Sequence, residues 1–299
     1  MRVIFSLYIN FNENDFEKNS DYEKNTKSTN EFKNNYSFLK NKQEEYAKHL
    51  NIPYILYEND KKWKEYKEQF KEKYPFISQY NVVNFYKIQI MYDLCKIYDE
   101  VLYLDFDVIP VTKENIFNEV NIENGIACKI NHERNPENYA ILTLPKIIKE
   151  REKYFKETGI TFSERSPVAK YWNCKALLIE KGYDGNNNVY NTGIILANKE
   201  NLHKLKYFDT FDEDIKLMRN LKNEESFWPK FLQNCFGFDN ETLFSFKMKT
   251  NNVNLIPLNE NWHFTYRDFI NYIPIESKMI HVINKNFEYA KKHVKKNNL

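Results

Sequence analysis

Val101-Leu-Tyr-Leu-Asp-Phe-Asp-Val-Ile-Pro110 is a run of β-forming apolar residues that ends in two carboxylates at i and i+2. On an extended strand Asp105 and Asp107 point to one side, while Phe106 turns to the other, into the core. Two like charges that close repel unless a cation neutralises them. Hard carboxylate oxygens suit Mg²⁺ or Mn²⁺, and such an ion can bridge to a substrate diphosphate. The carboxyl edge of a parallel sheet is also where α/β proteins bind ligands.

The elements that must position this pair follow from periodicity. Arg2–Ile9 is rich in β-formers and reads as a first strand, with a polar loop from Asp15 to about Lys27. Phe32, Tyr36, Leu39, Tyr46 and Leu50 mark a helix over Asn30–Leu50, and Pro53 opens a second strand, Tyr54–Tyr57. That is a βαβ unit, the seed of a parallel sheet. Trp63, Tyr66 and Phe70 stripe a short charged helix, and Val82–Tyr98 carries one apolar face into the strand Val101–Leu104, which Pro110 stops. Further strands are expected at Gly125–Ile130, Leu177–Ile179, Tyr190–Ala197, Val253–Ile256 and Met279–Ile283, with helices at Asn198–Leu205 and Asn223–Cys235. Residues 131–176 interrupt the rhythm with a long, partly helical excursion. The fold expected is α/β: one domain over residues 1–299, with a mixed, mostly parallel sheet flanked by helices and a basic tail over residues 288–299.

The 299 residues carry a net charge of +2 from 44 basic and 42 acidic side chains, which opposes a nucleic-acid binder, whose footprint is a basic excess. No apolar run approaches the roughly 18–20 residues of a membrane span. The first 15 residues read as a strand rather than a signal peptide. Four cysteines without a CxxC spacing indicate neither a zinc site nor a disulfide framework, and a reducing cytoplasmic compartment fits best. With 41 Asn and 38 Lys against 6 Gly, the composition follows A/T-rich codons, so charge runs carry less weight here and each glycine more.

Taken in order, these segments resemble GT-A glycosyltransferases, in particular the glycogenin and lipopolysaccharide-galactosyltransferase-like group of family 8, with relatives in family 32. The resemblance implies that Asp105-Phe106-Asp107 holds Mn²⁺ (or Mg²⁺) and the diphosphate of a nucleotide-sugar. It implies that Lys87, 18 residues before Asp105 on the preceding helix, reaches the donor, and that Tyr190-Asn191-Thr192-Gly193 lines the donor sugar. Glu224 stands where the group has an acid at a helix start, and Pro257 with Asn261-Trp262 loosely matches its Pro and aromatic-Asn turn. His281, just after a strand, becomes the third metal ligand, an O,O,N set that favours Mn²⁺. Asn284 stands where the group has a glycine, and Lys285 replaces the lysine of its diphosphate clamp. In a sheet of this type the first two strand ends flank the base, which assigns Tyr8 to the uracil and Asp60 or Asn59 to base or ribose.

The activity this implies is metal-dependent transfer of a hexose from a nucleotide-sugar, with a UDP-sugar as first candidate, to a hydroxyl of a glycan, lipid-linked or protein acceptor, with retention of configuration. The excursion, with Tyr139, Tyr154, Phe155, Tyr171 and Trp172 beside Glu164 and Arg165, is the expected acceptor wall, and the basic tail offers a weak peripheral membrane contact. Two alternatives remain. A haloacid-dehalogenase-type phosphatase uses a similar Asp-x-Asp, but over 100 residues precede the motif here and no downstream Gly-Asp-x-x-x-Asp follows. A non-catalytic carbohydrate-binding protein on the same fold is the other.

Overall fold

The computed structural model describes residues 1–11, 22–131, 153, 156, 157, 167–223, 226, 228, 230–233, 236–267, 270 and 272–296. In chain order the first elements are β1 (Arg2–Leu7), α1 (Tyr22–His49), β2 (Tyr54–Tyr57), α2 (Lys61–Lys73), α3 (Gln79–Leu94), β3 (Glu100–Asp105), β4 (Val108–Pro110), α4 (Ile116–Glu119) and β5 (Gly125–Ile130). They are followed by α5 (Pro167–Glu180), β6 (Tyr190–Asn198), α6 (Lys199–Leu205), α7 (Phe211–Leu221), α8 (Lys230–Gln233) and α9 (Asn240–Thr250). The chain closes with β7 (Asn254–Pro257), β8 (Phe264–Tyr266), β9 (Met279–Val282) and α10 (Phe287–Lys296). Two compact units are present: Met1–Lys129 with Thr192–Leu202 and Leu255–Leu299, and Ile130–Asn191 with His203–Asn254.

The first unit is built on a six-stranded sheet of order β2-β1-β3-β6-β5-β7. β1 runs parallel to both neighbours, with Leu7 opposite Tyr57 on one side and Asp105 on the other, while β6 is antiparallel to β3. This is the mixed α/β sheet expected from the alternation of strands and helices. Ile4, Leu102, Leu104, Ile194 and Leu196 are fully buried within it, as near-continuous apolar strands require when both faces are covered. α1 lies along this core through Asn35, Leu39, Gln43, Tyr46 and Ala47, a stripe at helical spacing.

A second sheet of order β4-β9-β8 abuts the end of β3 in sequence. Phe106 and Asp107 are the only residues between β3 and β4, so the two carboxylates stand where the chain leaves one sheet for the other. β4 pairs antiparallel with β9, Val108 opposite His281, and β8 runs parallel to β9. Gln43 ties the changeover. Its Nε2 donates to the carbonyls of Asp105 (3.0 Å) and Val108 (2.8 Å), and its Oε1 accepts from Ser6 Oγ (2.6 Å) and Tyr54 OH (2.8 Å). The four partners belong to four strands, β1, β2, β3 and β4, so one buried amide ties four strand ends together.

In the second unit α5 packs on α9, and a buried Lys247–Asp214 ion pair (2.5 Å) ties α9 to α7. Several expectations need correction. The helix expected from Asn30 begins at Tyr22, because the polar stretch before it contains neither Gly nor Pro to stop it. Leu177–Ile179 is not a strand but the last turns of α5, since a three-residue apolar run fits either element and Ala169, Cys174, Leu177 and Leu178 are buried at helical spacing. Pro110 ends a strand, β4, where only a stop was expected. Phe287, Ala290 and Val294 bury one face of α10 where a solvated basic tail was expected. Of the helix expected at Asn223–Cys235, Lys230–Gln233 is seen, and most of the first part of the excursion, residues 132–166, lies outside the described residues. No helix among the described residues is long and apolar enough to cross a membrane.

Gln43→Leu should lower stability by about 2–4 kcal/mol, because several buried polar groups lose their partner at once. Urea denaturation checks this, and an unchanged midpoint would show that the changeover holds without the amide.

Candidate metal centre

Asp105, Asp107 and His281 each present one ligand atom, all within 4.8 Å of one another. His281 Nε2 lies 3.6 Å from Asp105 Oδ2 and 3.4 Å from Asp107 Oδ2. These separations approach the roughly 3 Å ligand–ligand edge of an octahedron with 2.0–2.1 Å bonds. Two carboxylates and an imidazole, one acid and the imidazole buried, could hold a divalent cation. Local structure explains the convergence. The strand change puts both acids at one place, and the antiparallel β4–β9 register brings His281 opposite Val108 beside them, with Val282 N donating to the Asp107 carbonyl at 3.0 Å.

Each carboxylate is met by a lysine. Lys87 Nζ lies 3.3 Å from Asp105 Oδ1 and donates to the Thr192 carbonyl at 3.0 Å. Tyr103 OH donates to the same Asp105 oxygen, and the Lys87 ammonium sits 4.9 Å from the Tyr103 ring centroid. Lys285 Nζ pairs with Asp107 Oδ2 and lies 5.0 Å from the Phe32 ring centroid. Burial alone would raise the Asp107 pKa, but Lys285 and His281 outweigh it and hold this carboxyl well below the ordinary carboxylate range. Burial would lower the Lys285 pKa, and the Asp107 charge raises it above its usual value. Lys285 also sits at φ 61°, in left-handed backbone that a non-glycine residue adopts at a cost of about 1–2 kcal/mol. Asn284, which stands where the resembling group has a glycine, is not the residue that takes the left-handed conformation here.

Not all expected site residues converge here. Lys87 is 2% exposed, with its amine held by Asp105 and Thr192, so it is placed to orient the first acid rather than to reach outward. Phe106 is buried, and Tyr8 packs on it at 4.8 Å and on Tyr36 at 5.1 Å, which makes Tyr8 part of an aromatic cluster. Asp60 caps α2 by accepting from Trp63 N, and Asn59 bonds the Asn10 backbone. Gly193 is buried in β6, the strand that also carries Asn191. Glu224 lies outside the described residues, as do Tyr139, Tyr154, Phe155, Glu164 and Arg165. Tyr171 and Trp172 are each 4% exposed, so they pack the second unit instead of offering free faces to a sugar.

Three contributors escaped the motif reading. Tyr103 lies two residues before Asp105 on the same strand face, a signal the alternation already contained. Gln43 and His263, whose Nε2 lies 2.9 Å from His281 Nδ1, reach the site only through tertiary register.

No protein-family model matches the chain, and no curated protein matches its sequence. Solved structures similar to it include glycosyltransferases. One is involved in the glycosylation of the major capsid of PBCV-1, with a TM-score of 0.39 at 12% identity over 100% of this chain and 99% of that one. The galactosyltransferase LgtC in complex with donor and acceptor sugar analogs gives 0.42 at 10% identity, over 95% and 87%. Mouse xyloside xylosyltransferase 1 gives 0.38 at 10% identity, over 78% and 76%. These likenesses are too distant to carry an activity across.

Because the Asp107 pKa is depressed on folding, its contribution to stability is complete above the ordinary carboxylate pKa of about 4 and is lost as pH falls below it. In metal-free protein Asp107→Asn should therefore flatten the acid limb of a melting-temperature profile below about pH 4. An unaltered limb would show that the Lys285 pair is not formed. At residue 285, glycine should be about 1 kcal/mol more stable than alanine in thermal melts, since only glycine accepts φ 61° freely. Equal stability would argue against the left-handed turn.

Proposed function

We propose that this chain is a metal-dependent glycosyltransferase on a GT-A-type fold of the family 8 kind. It would transfer a hexose from a nucleotide-sugar, with a UDP-sugar as first candidate, to an acceptor hydroxyl with retention of configuration. The observation that carries the reading is the convergence of Asp105, Asp107 and His281, with Lys285 against Asp107. This combination suits phosphate chemistry: oxygen ligands for a divalent ion and a lysine ammonium at the same point. Without an ion the two acids are balanced by two lysines, so a divalent cation alone meets a neutralised site. A diphosphate supplies the negative charge that makes its binding favourable.

Asp105, Asp107 and His281 would hold Mn²⁺, which when bound stabilises charge on the nucleotide leaving group. Lys285 is the side chain we assign to the diphosphate, exchanging Asp107 for a phosphate oxygen. Lys87 and Tyr103 keep Asp105 oriented, and preorganised charge of this kind is the main contribution the protein makes to such a reaction. Asn191 and Gly193 are assigned to the donor sugar, Glu224 to the same region, and Tyr8 and Asp60 to the nucleoside. Residues 131–176 are assigned to the acceptor.

A panel of nucleotide-sugars with Mn²⁺, read by release of nucleoside diphosphate, tests the activity. Wild type should turn over one donor, stop in EDTA, and leave a phosphomonoester intact. Asp107→Ala should lose at least about 100-fold in rate, the scale of a lost electrostatic stabiliser. Full turnover by Asp107→Ala in EDTA, or phosphomonoester hydrolysis in place of donor turnover, would overturn the reading.

A further inference from the structure

His263 is an imidazole with one visible task. It precedes β8, whose Thr265 stands opposite His281 in the parallel β8–β9 pair. The ring is fully buried, its Nε2 lies 2.9 Å from His281 Nδ1, and the two ring planes are tilted by 34°. Among the described residues its Nδ1 is buried with no hydrogen-bond partner. Leaving a buried polar atom unpaired is costly, and an apolar ring in the same space would not incur that cost. A neutral imidazole carries one N–H and one lone pair. Lys129 donates to the His263 carbonyl (3.1 Å) and to Thr265 Oγ1 (3.2 Å), which fixes the backbone that carries the ring.

We propose that His263 is a positioning residue for the cation site. Its Nε2 accepts the Nδ1–H of His281 and so fixes the tautomer in which the His281 Nε2 lone pair faces Asp105 and Asp107. The orphaned Nδ1 of His263 then carries that ring's own proton, and its cost is what the positioning of His281 offsets. Histidines that ligate metals commonly need such a partner on the other ring nitrogen, and losing it typically weakens metal binding 10–100-fold. The inference rests on the metal reading given above.

The test is Mn²⁺ affinity in saturating UDP, read from the loss of the free-ion electron paramagnetic resonance signal, together with thermal melts of metal-free protein. His263→Phe should weaken Mn²⁺ binding 10–100-fold with a melting temperature equal to or above wild type, since it removes an unpaired polar atom. A residue serving only the fold would lower the melting temperature and leave the affinity alone. His263→Gln, whose amide oxygen can accept the same N–H, should stay within about threefold of wild type. If His263→Phe fails to fold, His263→Leu is read in the same way. Mn²⁺ binding by His263→Phe equal to wild type, or a glutamine variant as weak as the apolar ones, overturns the inference and leaves the metal reading intact. A wild type that binds no Mn²⁺ with UDP overturns both.

Discussion

Two carboxylates two residues apart at the end of a strand repel each other, and the first unit is arranged to meet that cost. Lys87 and Lys285 each neutralise one acid, while His281 stands 3.4 and 3.6 Å from both. The lysines come from different places. Lys87 is buried in the middle of α3, among Phe85, Tyr86, Ile88 and Ile90 of the same helix, and Lys285 sits in a left-handed turn after β9. A buried lysine and a strained lysine are each unfavourable alone, and the carboxylate pair is what makes both tolerable.

The geometry depends on the chain changing sheets within two residues. Had β3 continued, Asp107 would extend the large sheet, and no strand would bring His281 beside it. Because β4 pairs with β9 instead, residues about 175 positions apart meet, and Gln43 binds the carbonyls on both sides of the change. The core supplies the rigidity. Leu102, Leu104 and Ile194 are fully buried behind the site, so displacing Asp105 means disturbing close-packed interior.

How much of this was legible differs from residue to residue. β2 and β5 have the bounds their apolar runs and flanking turn residues predict, whereas the strand expected to run on through Asp107 stops at Asp105, and Phe106 and Asp107 turn into β4. His281 came from the order of motifs, not from any local signal. The stretch Leu177–Ile179 misled because three apolar residues carry no period, and the burial that makes it helical is tertiary. The structure packs Tyr8 into a cluster with Phe106, Tyr36 and Phe32 and encloses Lys87, because burying aromatic and aliphatic surface decides local placement. His263 and Gln43 carried no sequence signal, since each depends on a partner set by strand register.

The central claim is that a divalent cation and a nucleoside diphosphate bind at one place, each supplying charge the other needs. Such coupling is reciprocal, so it can be read from the nucleotide alone. Calorimetric titration of UDP into the protein, with and without saturating Mn²⁺, measures it directly. The account predicts that Mn²⁺ tightens UDP at least about tenfold, equivalent to about 1.4 kcal/mol, and that Asp107→Asn removes the difference. UDP affinity indifferent to Mn²⁺ in the wild type would contradict it.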